Sequence, residues 1–136
     1  MTAAAVSRDQ VAPPRKALLW TGRVISVLPA LGLLLSAAMK LSHGPAAVAM
    51  FTNKLGYQES SLTAIGILEL ACTALYLIPQ TAFLGALLLT GYLGGAIATH
   101  VRIGEPFGIP LVMGVLVWLG LYLRESRLKA LAPLRT

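Results

Sequence analysis

The chain has 136 residues, of which 57% are hydrophobic and 12% are charged, and its formal net charge is +6. Ordinary soluble domains carry about 25% charged residues, so this composition excludes that class, and the length predicts a single domain. The basic residues flank apolar runs and accompany no nucleic-acid-binding motif, so a nucleic-acid partner is not expected.

The N-terminal region combines a polar tail with a long apolar run. Residues 1–16 contain Pro13-Pro14 and predict a disordered tail, and the first span follows at about 17–41. A hydrocarbon core of about 30 Å needs roughly 17–25 apolar residues, so this run is long enough to cross it. Basic residues followed by an apolar run also resemble a signal peptide, but the run is too long for that class and Lys40 follows at once. We therefore expect an uncleaved span.

Three further apolar runs follow the first. They cover about 60–79, 82–101 and 108–123, and the last of them is the shortest. Pro79 begins a tight connection between the second and third spans, because proline cannot continue a helix cleanly. In the loop between the first two spans, the apolar residues after Pro45 predict a short interfacial or re-entrant helix. The pattern as a whole predicts an all-α integral membrane protein, a four-helix bundle.

The distribution of basic residues predicts the orientation of these spans. Eight Lys or Arg residues lie on the side of the two termini and three lie on the opposite side. The first group comprises Arg8, Arg15, Lys16, Arg23, Arg124, Arg127, Lys129 and Arg135, and the second comprises Lys40, Lys54 and Arg102. An excess of basic residues marks the cytoplasmic side, so both termini are predicted to be cytoplasmic. The tail 125–136 is predicted to lie on the anionic membrane surface.

Glu69 is the only acidic residue in the second span and lies near its middle. A charged side chain at a helix centre costs about 2.5–3.5 kcal/mol on insertion scales, so such residues usually face the protein interior and find a partner. Helical spacing places Gly66, Cys72, Thr73 and Tyr76 on the same face as Glu69. This face is therefore predicted to pack inward, away from lipid.

Ionisable and polar residues of two other spans could meet Glu69. Lys40 and Ser36 share a face of the first span, and Tyr92 and His100 share a face of the third. This pattern predicts a cluster of Lys40, Glu69, His100 and Tyr92 in the outer half of the bundle.

Plainer interpretations of these residues stay open. Glu69 could be protonated and form a packing hydrogen bond, because burial favours the neutral acid. Lys40 and His100 could anchor helix ends at the interface, and Arg23 is an alternative partner for Glu69.

Other patterns bear on packing and on metal or redox chemistry. Gly91 and Gly95 form a Gly-x-x-x-Gly pair, which predicts a close approach of a neighbouring helix. The single cysteine, Cys72, excludes an internal disulfide and dithiol chemistry by this chain alone. His43 and His100 are not spaced as a metal or haem site, and Glu69 and His100 are the one pair that could share a metal ion.

Several segments together resemble the DoxX-like small membrane proteins over residues 18–134. They are Ser36-Ala37-Ala38-Met39-Lys40-Leu41, Gly66-Ile67-Leu68-Glu69-Leu70, the run 89–102, Trp118 and Leu123-Arg124. That family often has a glycine three residues before the lysine, where this chain has Ala37. The resemblance implies a four-helix domain in a bacterial cytoplasmic membrane. The name-giving member of the family is similar to a subunit of a thiosulfate:quinone oxidoreductase, so the resemblance also implies a link to quinones.

The first functional hypothesis is a redox-linked subunit that binds a quinone or a similar lipophilic ring. Lys40 or His100 would donate a hydrogen bond to a ring carbonyl and Glu69 would relay a proton. Tyr92 and Tyr76 would contact the ring. The chain has no electron-carrying cofactor motif, so an oxidoreductase partner protein would supply the electrons.

Other hypotheses remain. A stand-alone membrane enzyme would use Glu69 as general acid or base on a lipophilic substrate, with Lys40 or His100 as the complementary group. A non-catalytic assembly subunit would use Glu69 only to specify helix packing. A proton-coupled transporter of this size would need to form a homo-oligomer.

Overall fold

The computed structural model describes residues 15–131, which fold entirely into helices and short connections. The helices are α1 (Lys16–Leu41), α2 (Pro45–Ala49), α3 (Glu59–Leu77), α4 (Ala82–Arg102), α5 (Gly108–Arg124) and α6 (Ser126–Leu131). The ends of the four long helices, α1, α3, α4 and α5, fall within two residues of the ends of the predicted spans. The all-α prediction is confirmed.

Three stretches of the described chain are long and apolar enough to cross a membrane. They are Lys16–Leu41, Glu59–Leu77 and Pro79–Arg102, and the last of these joins a 3₁₀ turn to α4. The fourth long helix, α5, is apolar but has only 17 residues. The predicted tail 1–16 lies almost wholly outside the described residues, and α6 begins the predicted basic tail.

The four long helices form a closed ring. Helix α1 packs against α3 and α5, and α4 also packs against both of them. Short connections make α3, α4 and α5 run in alternating directions. We call the end where α1 ends, α3 begins and α4 joins α5 the strap end, and the other end the Pro79 end. Helix α3 stops before Pro79 because Ile78 is extended, as expected for a residue that precedes proline.

Residues 42–58 form a strap across the strap end. In this strap, α2 runs directly into a π-helical turn, Met50–Lys54, and this is the short helix predicted after Pro45. The strap bends at His43, with φ of 51°, and at Gly56, with φ of 73°. Glycine adopts this left-handed conformation without steric cost, so Gly56 suits the turn into α3.

The face of α3 that carries Glu69 is buried, as its spacing predicts. The buried residues of α3 are Leu62, Gly66, Glu69, Cys72, Thr73 and Tyr76. Ile67, Leu70 and Leu77 lie on the opposite face and are exposed. The aliphatic face is therefore free to meet lipid.

Glycines bring α1 and α5 close together at the Pro79 end. A Cβ atom added to Gly22 would lie 2.8 Å from the backbone nitrogen of Arg124 and 2.9 Å from the carbonyl oxygen of Gly120. A Cβ atom added to Gly120 would lie 2.9 Å from the backbone nitrogen of Ser26. Real Cβ atoms are not found this close to a backbone, so these contacts require glycine.

Helices α3 and α4 are also closest at the Pro79 end. A Cβ atom on Gly85 would overlap the backbone of Tyr76. Towards the strap end, by contrast, no atom lies within 4 Å of a Cβ atom built on Gly91 or Gly95. The close helix approach predicted for this glycine pair is therefore wrong within the described residues. Gly91 and Gly95 lie about 120° and 80° around α4 from Gly85, so they do not point at the backbone of α3 as Gly85 does.

Candidate functional site

The buried partner of Glu69 is Lys40. Lys40 Nζ lies 2.6 Å from Glu69 Oε2, and the two residues are 7% and 1% exposed. The alternative partner, Arg23, lies instead over the ring of Trp20. Gly66 allows the pair to form, because a Cβ atom there would lie only 3.0 Å from Leu41 Cγ in the last turn of α1.

A hydrogen-bond network surrounds the ammonium group of Lys40. Besides Glu69, it donates to Ser36 Oγ at 2.5 Å and to the Tyr92 hydroxyl oxygen at 3.3 Å. Ser36 Oγ in turn lies 3.3 Å from Glu69 Oε2. An ammonium group has three protons, so each has an acceptor within the protein. The ring of Phe51, in the strap, lies 5.5 Å from Nζ and adds a cation–π contact.

The ion pair lies in the wall of a cavity of about 870 Å³. All four long helices and the strap line this cavity, and most of the lining residues are apolar. The polar or ionisable lining residues are Ser36, Lys40, Tyr57, Glu69, Tyr92, Thr99 and His100. Small-molecule sites typically measure about 300–1,000 Å³ and combine apolar walls with a few polar groups. The cavity has the size and chemistry of such a site.

His100 lines the same cavity but has a separate hydrogen-bond partner. Its Nδ1 lies 2.7 Å from the carbonyl oxygen of Ala96. Because a carbonyl oxygen only accepts, Nδ1 carries the proton in this bond, and Nε2 of a neutral ring is then an acceptor. The structure thus groups Lys40, Glu69 and Tyr92 directly and places His100 elsewhere on the same cavity wall.

Tyr76 lies in the core outside this cavity lining. Its hydroxyl group is 2.8 Å from the carbonyl oxygen of Val117 and 3.0 Å from Ser26 Oγ. Arg124 packs over its ring and donates a hydrogen bond to its backbone oxygen. Tyr76 therefore joins α3 to α1 and α5 near the Pro79 end, which is a different position from the ring contact predicted for it.

Contacts between the strap and α4 close the cavity at the strap end, and sequence reasoning missed them. Arg102 Nη2 donates to the carbonyl oxygen of Leu55 at 2.5 Å, and the Tyr57 hydroxyl group lies 2.8 Å from Thr99 Oγ1. The apolar residues after Pro45 indicate a helix in the strap. The α4 partners of Leu55 and Tyr57 are 47 and 42 residues away in sequence, so no local pattern identifies them.

We expect Arg102→Met to loosen the strap. The change removes a charge-assisted hydrogen bond, a class worth about 1.5–3 kcal/mol. Amide hydrogen exchange in residues 45–55 should then accelerate by about tenfold or more, measured by mass spectrometry in detergent. Lys54→Met is the matched control, because Lys54 pairs with Glu105 at the surface and exposed ion pairs contribute about 0–1 kcal/mol. Equal exchange rates in the two variants would contradict a strap held by Arg102.

Within residues 15–131, no three His, Cys, Asp or Glu side chains are grouped so that they could hold a metal ion. Cys72 is a buried member of the apolar core.

The apolar helices and the internal cavity define a helical membrane protein with a buried ion pair at a cavity wall. The model of the DoxX-like family matches residues 24–120, so the chain belongs to the DoxX-like family. The match includes each of the residues predicted to form the site. No curated protein and no solved structure matches the chain significantly.

Proposed function

We propose that this protein binds a lipophilic small molecule with a hydrogen-bonding oxygen head in its cavity, as a redox-linked subunit whose ligand is a quinone or a similar ring. The observation that carries the proposal is the buried pair of Lys40 and Glu69 in the wall of a mostly apolar cavity. A buried ion pair often contributes no more to the stability of the fold than well-packed apolar residues of similar volume would. Its position on a cavity favours a role in binding.

The proposed topology is a four-helix bundle that crosses the cytoplasmic membrane four times, with both termini in the cytoplasm. Helix α5, with 17 residues, is about 26 Å long at 1.5 Å per residue, so it spans most of a hydrocarbon core with little tilt. The basic side chains concentrated at the Pro79 end support a cytoplasmic location for that end. The cavity then lies in the outer half of the membrane.

The polar groups suit the carbonyl oxygen of a ring. Tyr92 supplies a donor and Glu69 supplies an acceptor, and Lys40, whose three protons already have acceptors within the protein, holds both groups in place. Because the Tyr92 oxygen accepts from Lys40, the Tyr92 proton is available to a ligand. On reduction of a quinone to a quinol, two electrons from an oxidoreductase partner would accompany two protons, and Glu69 could relay one of them. Tyr76 is left out of the ligand contacts because it lies outside the cavity lining.

A stand-alone enzyme is the second candidate. It is favoured by the carboxylate of Glu69, the ammonium group of Lys40 and the imidazole of His100 on one cavity, since acid–base catalysis needs complementary groups near one substrate. A non-catalytic assembly subunit, in which the pair only specifies packing, would need no ligand.

Mass spectrometry of co-purified small molecules tests the proposal. We expect wild-type protein purified in mild detergent to retain a lipophile and Glu69→Gln to retain about tenfold less, because the amide removes the charge that holds the donors in place. Glu125→Gln is the matched control, since Glu125 lies beyond the cavity at the end of α5. Circular dichroism would establish that each variant is folded.

If folded wild-type protein and folded Glu69→Gln retain the same amount of every lipophile, or none, the binding proposal fails. The assembly subunit would then be the better hypothesis.

A further inference from the structure

We propose that the ligand of this cavity carries a long apolar chain, which leaves the protein sideways between α3 and α4 and extends into the bilayer. The opening, which we call the glycine window, is bounded by Ile65 and Leu68 on α3 and by Gly91 and Gly95 on α4. This inference rests on the proposed binding function and adds the class of ligand, an amphiphile with one oxygen-bearing head and one apolar tail.

The window residues belong both to the cavity lining and to the surface. Leu68 is 53% exposed, and Gly91 and Gly95 are exposed, yet all three line the cavity. No atom lies within 4 Å of a Cβ atom built on either glycine. The cavity is therefore continuous with the outer surface of the helices at this point.

The rotation of α3 shows that this side faces α4. A Cβ atom built on Gly66 would meet Lys40 and Leu41, so the side of α3 that carries Gly66 faces α1. Ile65 and Leu68 lie on the other side of Glu69 by helical spacing, and α4 is the remaining neighbour of α3.

The gap between α1 and α5 is the alternative exit. Leu35 and Met39 on α1 and Ile109 on α5 are exposed there and line the cavity. However, a Cβ atom built on Gly32 would lie 3.3 Å from Met113 Cε, so the Met113 side chain reaches α1 and narrows the gap between the two helices. The third route, through the strap end, is covered by Ala47, Phe51 and Leu55.

The chemistry of the window selects the tail. Its margins are two aliphatic side chains and two glycines, and they offer no side-chain hydrogen-bond partner to a polar chain. In a bilayer, the tail would stay in hydrocarbon while the head reached Tyr92 and Glu69. A water-soluble ligand would not enter or extend through this opening, because an opening at mid-helix leads into the hydrocarbon of the bilayer.

The test measures binding of two probes to the protein in lipid nanodiscs. One probe is a para-benzoquinone with a decyl chain, and the other is the same para-benzoquinone without a chain. Concentrations are expressed per lipid, so that partitioning into the bilayer does not enter the comparison. The variant is Gly95→Leu, which fills the window. The matched control is Gly94→Leu, because Gly94 is an exposed glycine of α4 with open space around it but does not line the cavity.

We expect Gly95→Leu to weaken binding of the decyl probe by about tenfold or more and to change the affinity for the chainless probe by no more than about twofold. Gly94→Leu should bind the decyl probe as wild type does. Unchanged binding of the decyl probe in Gly95→Leu would overturn the glycine window while leaving the proposed function intact. A selective loss in Gly32→Leu instead would place the tail between α1 and α5 and also overturn it. If wild-type protein binds neither probe, the quinone form of the proposed function fails, and this inference fails with it.

Discussion

Replacing either member of the buried ion pair should destabilise the protein strongly, whereas replacing both should not. We expect Lys40→Met and Glu69→Leu to lower the free energy of unfolding by about 3–5 kcal/mol each, because each leaves an uncompensated buried charge. The double variant should recover most of this loss, since apolar groups of similar volume often replace a buried pair at little cost. Equilibrium unfolding in mixed micelles measures all four proteins.

Ligand retention in the same double variant separates binding from packing. The proposed function requires that the double variant be stable but retain no lipophile, because the Glu69 acceptor and the Lys40 ammonium group that positions Tyr92 are both gone. A stable double variant that retained the lipophile as wild type does would show that the pair is a packing device. Additive losses in the double variant would show that Lys40 and Glu69 are not energetically coupled.

Two glycines of the same helix should respond to alanine with opposite signs. Gly85→Ala is expected to lower the free energy of unfolding by more than about 2 kcal/mol, because a new Cβ atom would overlap the backbone of Tyr76. A backbone, unlike a side chain, cannot relieve the overlap by changing rotamer. Gly94→Ala is expected to raise it by up to about 1 kcal/mol, because its Cβ atom meets nothing and alanine is the better helix former. Both are measured by the same unfolding titration.

The sign of each change is the decisive result. If Gly85→Ala were neutral, α3 and α4 would not be in backbone contact at the Pro79 end. If Gly94→Ala were strongly destabilising, the surface around Gly94 would be covered, as in an assembly with another chain.

The helices and the inward face of α3 could be predicted from sequence because both depend on local patterns. An apolar run of sufficient length, bounded by prolines and charged residues, predicts a membrane span without any knowledge of the tertiary contacts. The stripe of Glu69, Gly66 and Tyr76 repeats with the helical period, so its burial follows from rotation about one helix axis.

The same period explains why Tyr76 shares a face with Glu69 and yet lies outside the cavity lining. Residues seven apart share a face but lie about 10 Å apart along the axis. Tyr76 therefore faces inward as Glu69 does, yet it lies two turns nearer the Pro79 end, where Ser26 and Val117 surround its hydroxyl group. Sequence gives the direction of a side chain about the axis, but it does not show which neighbours meet it at that depth.

Hydrophobic length and periodicity are properties of single segments, so a helical membrane protein with an ionisable face turned inward follows from the amino-acid order alone. The packing of helices against one another selects Lys40 rather than Arg23 as the partner of Glu69, and it selects Gly85 rather than Gly91 and Gly95 for close contact between helices. Both depend on where two helices approach each other along their axes. That position is set by packing between residues that are distant in the sequence, and a local sequence pattern carries no information about such packing.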